Sequence, residues 1–506
     1  MRVSGLSPTR AGPRSHAWRF GVACLTGAVV FGSWGTSGLF AQQWRSRVSS
    51  RVQYVEGMTL VRDSVPIGDT SGSGTQRTAG EIPVTCSTGA SHCFFYRSGR
   101  VANTAPAVLD VDLNVFGFGV EGLRAYVSTR FRTDFGDDEF WPRVNDNFDL
   151  LAGYLELNRR SFRVRVGRDY QVSGLGFYGY DGGSLIYRLP VWRADLEAYG
   201  GWGLERGVPE PINSSEFGSL GTFQPQKRNY LYGLRGSARP TVNSSIAAIY
   251  QREIPTDRAG LSSERLGLEA TYNPIPQVSL LGHADYDLAA KWWGKAGLTA
   301  GWTVMPELYV EGRLFRYRPV FSLQTIWLAF SPVPYTGWGL ATGLYPIRNL
   351  SLKIEVERRQ YGETEAEVPF FATTDRDWRV GGYVTWRPGE WLGVPWDIDG
   401  GYWRNWGFGA ALNSGNLRVG MRPHDQLSLG LRFSAFQQLE EFRIDEGRVW
   451  GLGADVRWRS RAGTVWFSFD NYKHDRRNNA AMNDWSQQRA ALGFSYYVGS
   501  EPGRTP

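Results

Sequence analysis

Cysteine, histidine and long apolar runs are all scarce in this chain, and each scarcity closes off a class of protein. Three residues are cysteine (Cys24, Cys86 and Cys93) and five are histidine (His16, His92, His283, His424 and His474). The histidines are scattered, and no HExxH, CxxCH or GxSxG spacing occurs. The zinc-protease, c-haem and lipase-type signatures are therefore missing. Beyond the N-terminus no apolar run approaches the roughly 18 residues that a spanning helix needs. With a mean hydropathy of −0.35, a helical membrane protein is excluded.

Acid is absent from the first stretch of the chain. It carries Arg2, Arg10, Arg14 and Arg19, followed by the mostly apolar FGVACLTGAVVFGSWGTSGLFA. This is the layout of a secretory signal over residues 1–41, with cleavage expected near Ala41, although Leu39 is larger than the residue usual there. A lipoprotein anchored at Cys24 is disfavoured, because GVAC lacks the expected leucine upstream. Removing residues 1–41 takes away four arginines and lowers the formal charge from +7 to +3. So small a balance gives no reason to expect a nucleic-acid partner. It also leaves Cys86 and Cys93, which are expected to form a disulfide closing CSTGASHC in an oxidising compartment. A metal site built with His92 lacks further ligands nearby, and no cofactor is expected.

What the chain has in quantity is alternation. In VDLNV, Val111, Leu113 and Val115 oppose Asp112 and Asn114; in RAYVSTRFR, Ala125, Val127, Thr129 and Phe131 oppose Arg124, Ser128, Arg130 and Arg132. RADLEAY (193–199), LKIEVE (352–357) and LGADVRW (452–458) repeat the pattern. Period two marks strands with one apolar face. A soluble sandwich hides such faces between two sheets, whereas a transmembrane barrel turns them to lipid around a polar lumen. No linker or internal repeat divides the chain into several sandwiches. Trp and Tyr cluster at strand ends, as in KWWGK, GYWRNWGF and VTWRPGEWLGVPW. That is where interfacial girdles belong.

The connections alternate as well. Short ones (NRRS, LPVW, ARPTVN, NPIPQ, VMPEL, YPIRN, RPHDQ, RSRAG) lie between longer ones at 135–148, 203–229, 254–263, 316–337, 361–376, 439–447 and 474–486. Outer-membrane barrels combine short periplasmic turns with longer extracellular loops in this way. The expected fold is an all-β transmembrane antiparallel barrel of about 22 strands, within bounds of about 20–24, with the even number such barrels require. Residues 44–61 supply the first strand and 62–106 the first outside loop, which holds the disulfide. The barrel occupies 42–498, and 499–506 form a tail. The pattern resembles Gram-negative outer-membrane barrels of the porin class over roughly residues 44–498. One departure concerns the end of the chain, where Phe494, Tyr496 and Tyr497 are followed by Val498 and GSEPGRTP rather than closing on an aromatic.

The stretch GLGFYGYDGG (174–183) contains Gly174-x-Gly176-x-x-Gly179, the spacing of a dinucleotide-binding fingerprint. That fingerprint needs a buried apolar strand before it and a helix after it. Here FRVRVGRDY alternates arginine with valine, and no helix begins at YGYDGGS. The stretch is expected to be an outside hairpin loop. His283 and Asp285 share the lumen phase of one strand, as polar lining rather than a catalytic pair. Asp134, Asp137, Asp138 and Glu139 form an acidic outside loop. Arg124, Arg130, Arg132, Arg163 and Arg165 take the polar phase on neighbouring strands. With Glu156, Asp195 and Glu197 they are candidates for a lumen field or for cross-strand ties.

The resulting expectation is a non-enzymatic outer-membrane channel for passive or weakly selective passage of small polar solutes. It is set in outer-membrane lipid and lipopolysaccharide, with a homo-oligomer or a partner protein left open. Three alternatives stand beside it: a sheath for a partner such as a multihaem cytochrome, an outer-membrane enzyme, and a soluble carbohydrate-binding β protein.

Overall fold

The computed structural model describes residues 43–71, 76–79, 84–86, 89, 91–136, 147–204, 229–256, 260–318, 334–362, 376–391, 393–407, 413–440, 445–475 and 484–500. The expected signal, with Cys24, lies outside the described residues, as do 501–506 and the acidic Asp137, Asp138 and Glu139.

A closed antiparallel barrel of 22 strands forms the wall, matching the number expected from the alternation. Every strand pairs with its sequence neighbour, and the ring is sealed by the first strand against the last. The seam runs from Arg45 opposite Gly499 to Val55 opposite Arg489. The departure at the chain's end is thereby settled, because Tyr496, Tyr497 and Val498 all sit within the closing ladder.

Burial is inverted relative to a soluble protein. Leu234 is 60% exposed and Leu431 is also 60% exposed, while Glu156 is 1% and Asp285 is 5% exposed. Only a lipid-facing exterior around a packed polar interior reconciles exposed leucine with buried carboxylate. Tryptophan brackets the apolar band. On the strand Arg376–Trp391, Trp378 and Trp386 both point outward. Their separation is about 26 Å along the strand, or roughly 20 Å along the membrane normal at the usual tilt of about 40°. Trp302 and Trp458 mark the inner margin on other strands, and Trp202, Trp293 and Trp406 the outer one.

Proline punctuates the inner rim. Five hairpins lose register just before their turns: between Ala238 and Thr241, Tyr272 and Ile275, Leu344 and Ile347, Trp386 and Gly389, and Met421 and His424. Each interval contains one proline: Pro240, Pro274, Pro346, Pro388 and Pro423. A residue without an N–H cannot complete the ladder, so the chain bulges there and turns.

The first outside connection is more ordered than a loop. The first strand, Gln43–Pro66, continues past the rim and pairs with His92–Thr104, from Val55 opposite Thr104 to Pro66 opposite His92. This two-stranded ribbon rises roughly 36 Å above the wall at about 3.3 Å per residue. Cys86 and Cys93 are bonded near its tip, where Thr85–Cys86 adds a short third strand. The Arg97 guanidinium bonds Asp63 at 2.8 Å and holds that carboxyl below the usual range. Asp134 secures the root: its Oδ1 accepts the N–H groups of Ala105 at 2.9 Å and Gly136 at 2.7 Å, and Thr104 donates to its Oδ2. The acidic residue thus serves as a backbone cap.

Candidate functional site

The lumen is narrowed by its own wall. The hairpin formed by Phe162–Ser173 and Gly176–Leu189 pairs with the preceding strand only up to Arg168 and with the following strand only up to Tyr180. Above those points it has no lateral neighbour in the ladder, and its tip bends inward across three strands. Arg265 donates to the Leu175 carbonyl at 2.8 Å and to the Tyr178 hydroxyl at 3.0 Å. Asp285 forms an ion pair with the same guanidinium and accepts the Lys295 N–H. Leu175, 4% exposed, packs with Tyr180, Tyr199, Leu231 and Ile249 in an apolar cluster inside the barrel.

Glycine makes that docking possible. A Cβ at Gly267 would stand 2.8 Å from Ile249 and 3.1 Å from Leu175. At Gly233 it would meet the ring and hydroxyl of Tyr199, and that hydroxyl donates to the Gln251 Oε1 at 3.0 Å. The stretch expected to be an outside loop is therefore corrected. Only Gly174 and Leu175 form the turn; Gly176 onward is strand, and Asp181 is tied to Arg168 by two bonds of 2.6 and 2.8 Å. Sequence suggested an exposed loop because the partners of Leu175 lie some 90 residues away, at Arg265 and Gly267.

The candidate charges face inward. Arg124 and Arg165 both reach the Glu156 carboxylate at 2.7 Å, and Arg165 also reaches Asp169 at 3.1 Å. Arg130 holds Asp110 at 2.6 Å, and Arg132 lies 3.6 Å from Asp149. Arg163, Asp195 and Glu197 line a cavity of about 380 Å³ with Arg165, Gln171 and Arg235. Tyr170 and Val172 on the inward hairpin also line it. It meets a second cavity, of about 780 Å³, at Asp195, Arg235 and Ser237; this one extends down to Arg188, Pro190 and Arg239 at the inner rim. The Arg163 Nε is buried without a hydrogen bond among the described residues, while the Arg163 side chain lines the cavity.

Further ion pairs, none singled out from sequence, continue around the wall. Arg313 pairs with Glu355 and Arg359 with Glu357; Arg418 reaches Asp397 at 2.9 Å and Arg432 reaches Asp470 at 3.0 Å. The polar phase of each strand carried that signal. His283 faces the second cavity, while Asp285 is engaged by Arg265, so the two are not coupled to one another.

No family model matches the sequence, and no curated protein matches it. Solved structures are similar in shape. The chain is 11% identical to Pseudomonas aeruginosa OccD3 (OpdP), covering 92% of this chain and 94% of that one, with a TM-score of 0.36. A BenF-like porin from Pseudomonas fluorescens is 11% identical over 91% and 100% of the two chains, with a TM-score of 0.37. The siderophore receptor PirA from Pseudomonas aeruginosa is 11% identical over 90% and 80%, with a TM-score of 0.49. The closed ladder, the outward apolar band and its tryptophan margins make this chain a bacterial outer-membrane β-barrel.

Proposed function

We propose that the molecule is a diffusion channel for small polar and charged solutes, acting by shape and field rather than by reaction. The observation that carries this is the pair of adjoining cavities, lined by charges of both signs, that descends from beneath the inward hairpin to the inner rim. Arg124, Arg130, Arg165, Arg313, Arg418 and Arg432 are each paired with a cross-strand carboxylate, so their contribution is to hold register. Arg163 and Arg235 form no ion pair among the described residues and line the narrow cavity, so they supply the positive field a passing anion meets. Asp195 and Glu197 on the same lining suit a solute that also carries a cationic or hydroxyl group.

Planar-bilayer recording of the purified, refolded barrel tests the proposal, with discrete conductance steps as the expected result. A folded barrel that inserts yet conducts no more than bare lipid overturns it. Co-purification of a coloured partner with such a silent barrel would transfer the assignment to a sheath.

A further inference from the structure

We propose that one outward sector of the outer rim binds the phosphorylated headgroup of an outer-leaflet lipid. The inference rests on the outer-membrane topology and is independent of the channel assignment. The sector spans the strands Leu308–Tyr317, Tyr335–Ile347, Leu350–Tyr361, Arg376–Trp391 and Val394–Gly407. Their registers align Trp338, Arg358, Trp378 and Trp406 in a single row on the lipid-facing side. Arg358 stands between two tryptophans whose rings meet at right angles 5.6 Å apart, and its guanidinium lies 5.5 Å from the Trp378 ring. Arg404, one step lower, extends to within 5.0 Å of the Trp406 ring. Arg316 projects from the row above and is exposed.

Among the described residues, the absence of an ion-pair partner distinguishes this sector. Elsewhere on the outer face Arg168 is bound by Asp181, and Arg252 lies 3.8 Å from Glu264. Arg316, Arg358 and Arg404 form no ion pair among the described residues, and the outward positions of the outer half of these five strands contain no carboxylate. Three guanidiniums at the edge of a low-dielectric band repel one another, and no carboxylate of the described residues offsets them, which favours an anion of the surrounding leaflet. They sit at the depth marked by the outer tryptophans, which is where lipid headgroups lie. A phosphate matches the planar fork of arginine, and the long side chains reach up from the band to meet it. The apolar surface at and below that row, with Leu314, Leu340 and Ile354 each at least half exposed, receives the acyl chains of the same molecule.

The experiment uses the full-length barrel in detergent with added bis-phosphorylated lipid A, and retained lipid is measured by native mass spectrometry. The wild type is expected to retain lipid A, and the variant Arg316→Gln/Arg358→Gln/Arg404→Gln to bind about tenfold more weakly, since three charge-assisted contacts are lost. Arg252→Gln, outside the sector, is expected to match the wild type. Fully dephosphorylated lipid A is expected to bind the wild type as weakly as the phosphorylated lipid binds the triple variant. Millimolar inorganic phosphate is expected not to displace the lipid. Heat-dependent gel mobility checks folding; if the triple variant fails that check, Arg358→Gln alone is expected to lose about threefold. Equal retention by wild-type and folded variant barrels overturns the proposal, as does indifference to dephosphorylation. Displacement by inorganic phosphate would make this a free-anion site and overturn the lipid assignment.

Discussion

Replacing Leu175 by alanine isolates the contact that keeps the hairpin inside the barrel. Leu175 is 4% exposed among Tyr180, Tyr199, Leu231 and Ile249, so the truncation removes buried methyl groups from a packed cluster. Leucine-to-alanine changes cost about 2–5 kcal/mol, with larger values where the surroundings cannot relax. A hairpin tip with one face open to the lumen relaxes readily, which places the cost near about 2 kcal/mol, or on the order of 30-fold in the ratio of undocked to docked tip. The Arg265 bonds to Leu175 and Tyr178 remain, so the tip should fluctuate rather than leave permanently. Single-channel recording reads this as a rise of that order in brief high-conductance excursions. The comparison is Phe177→Ala on the opposite face of the same tip, where the side chain is 68% exposed. Its effect should stay within about 0.5 kcal/mol, as for ordinary surface changes. Equal noise and conductance in the two variants would refute the inward docking of Leu175.

Three further outcomes are expected. Val356→Arg places a charge on the lipid face, opposite Leu340 and Val380, and should cost roughly 2–4 kcal/mol in urea unfolding from vesicles, whereas Val356→Leu should cost little; equal costs would overturn the phase of that strand. Arg163→Gln combined with Arg235→Gln should move the reversal potential toward cation preference, and an unchanged potential with normal conductance would remove these residues from the narrow region. Alkylation of the denatured, unreduced exported protein should find no free thiol at Cys86 or Cys93, and reduction should loosen the ribbon tip while heat-dependent gel mobility still reports an assembled barrel.

Which parts of the fold the sequence could disclose follows from the range of the interactions. Alternation such as Leu352, Ile354 and Val356 against Lys353, Glu355 and Glu357 records the two environments directly, since each strand touches lipid on one side and lumen on the other. Turn chemistry is equally local, so Pro274 and Pro346 mark hairpins without reference to anything distant. Leu175 illustrates the opposite case. Its burial depends on Gly267 and Arg265, and no local feature of GLGFYGYDGG distinguishes a tip that folds inward from one that stands in solvent. Arg165 is intermediate: its phase was legible, but its choice of Glu156 and Asp169 depends on cross-strand register. The ribbon strand His92–Thr104 was missed because HCFFYRSGRVANT lacks clean alternation, having no lipid face to impose it.

The seam between the first and last strands has a kinetic consequence. Arg45 and Gly499 face each other across it, and Trp44 N–H donates to the Ser500 hydroxyl at 2.9 Å, contacts that span nearly the whole chain. Hairpins between sequence neighbours can zip locally, each closing a small loop. The seam must instead close the largest loop available, and its entropic penalty is met only after every intervening strand is in place. Until then the growing sheet has two open edges, each a row of unpaired N–H and C=O groups that hydrocarbon does not tolerate and that other strands can capture. Closure is therefore the committing event in assembly, and a chain stopped before residue 489 would retain nearly all of its wall yet have no means of leaving the aggregation-prone open state.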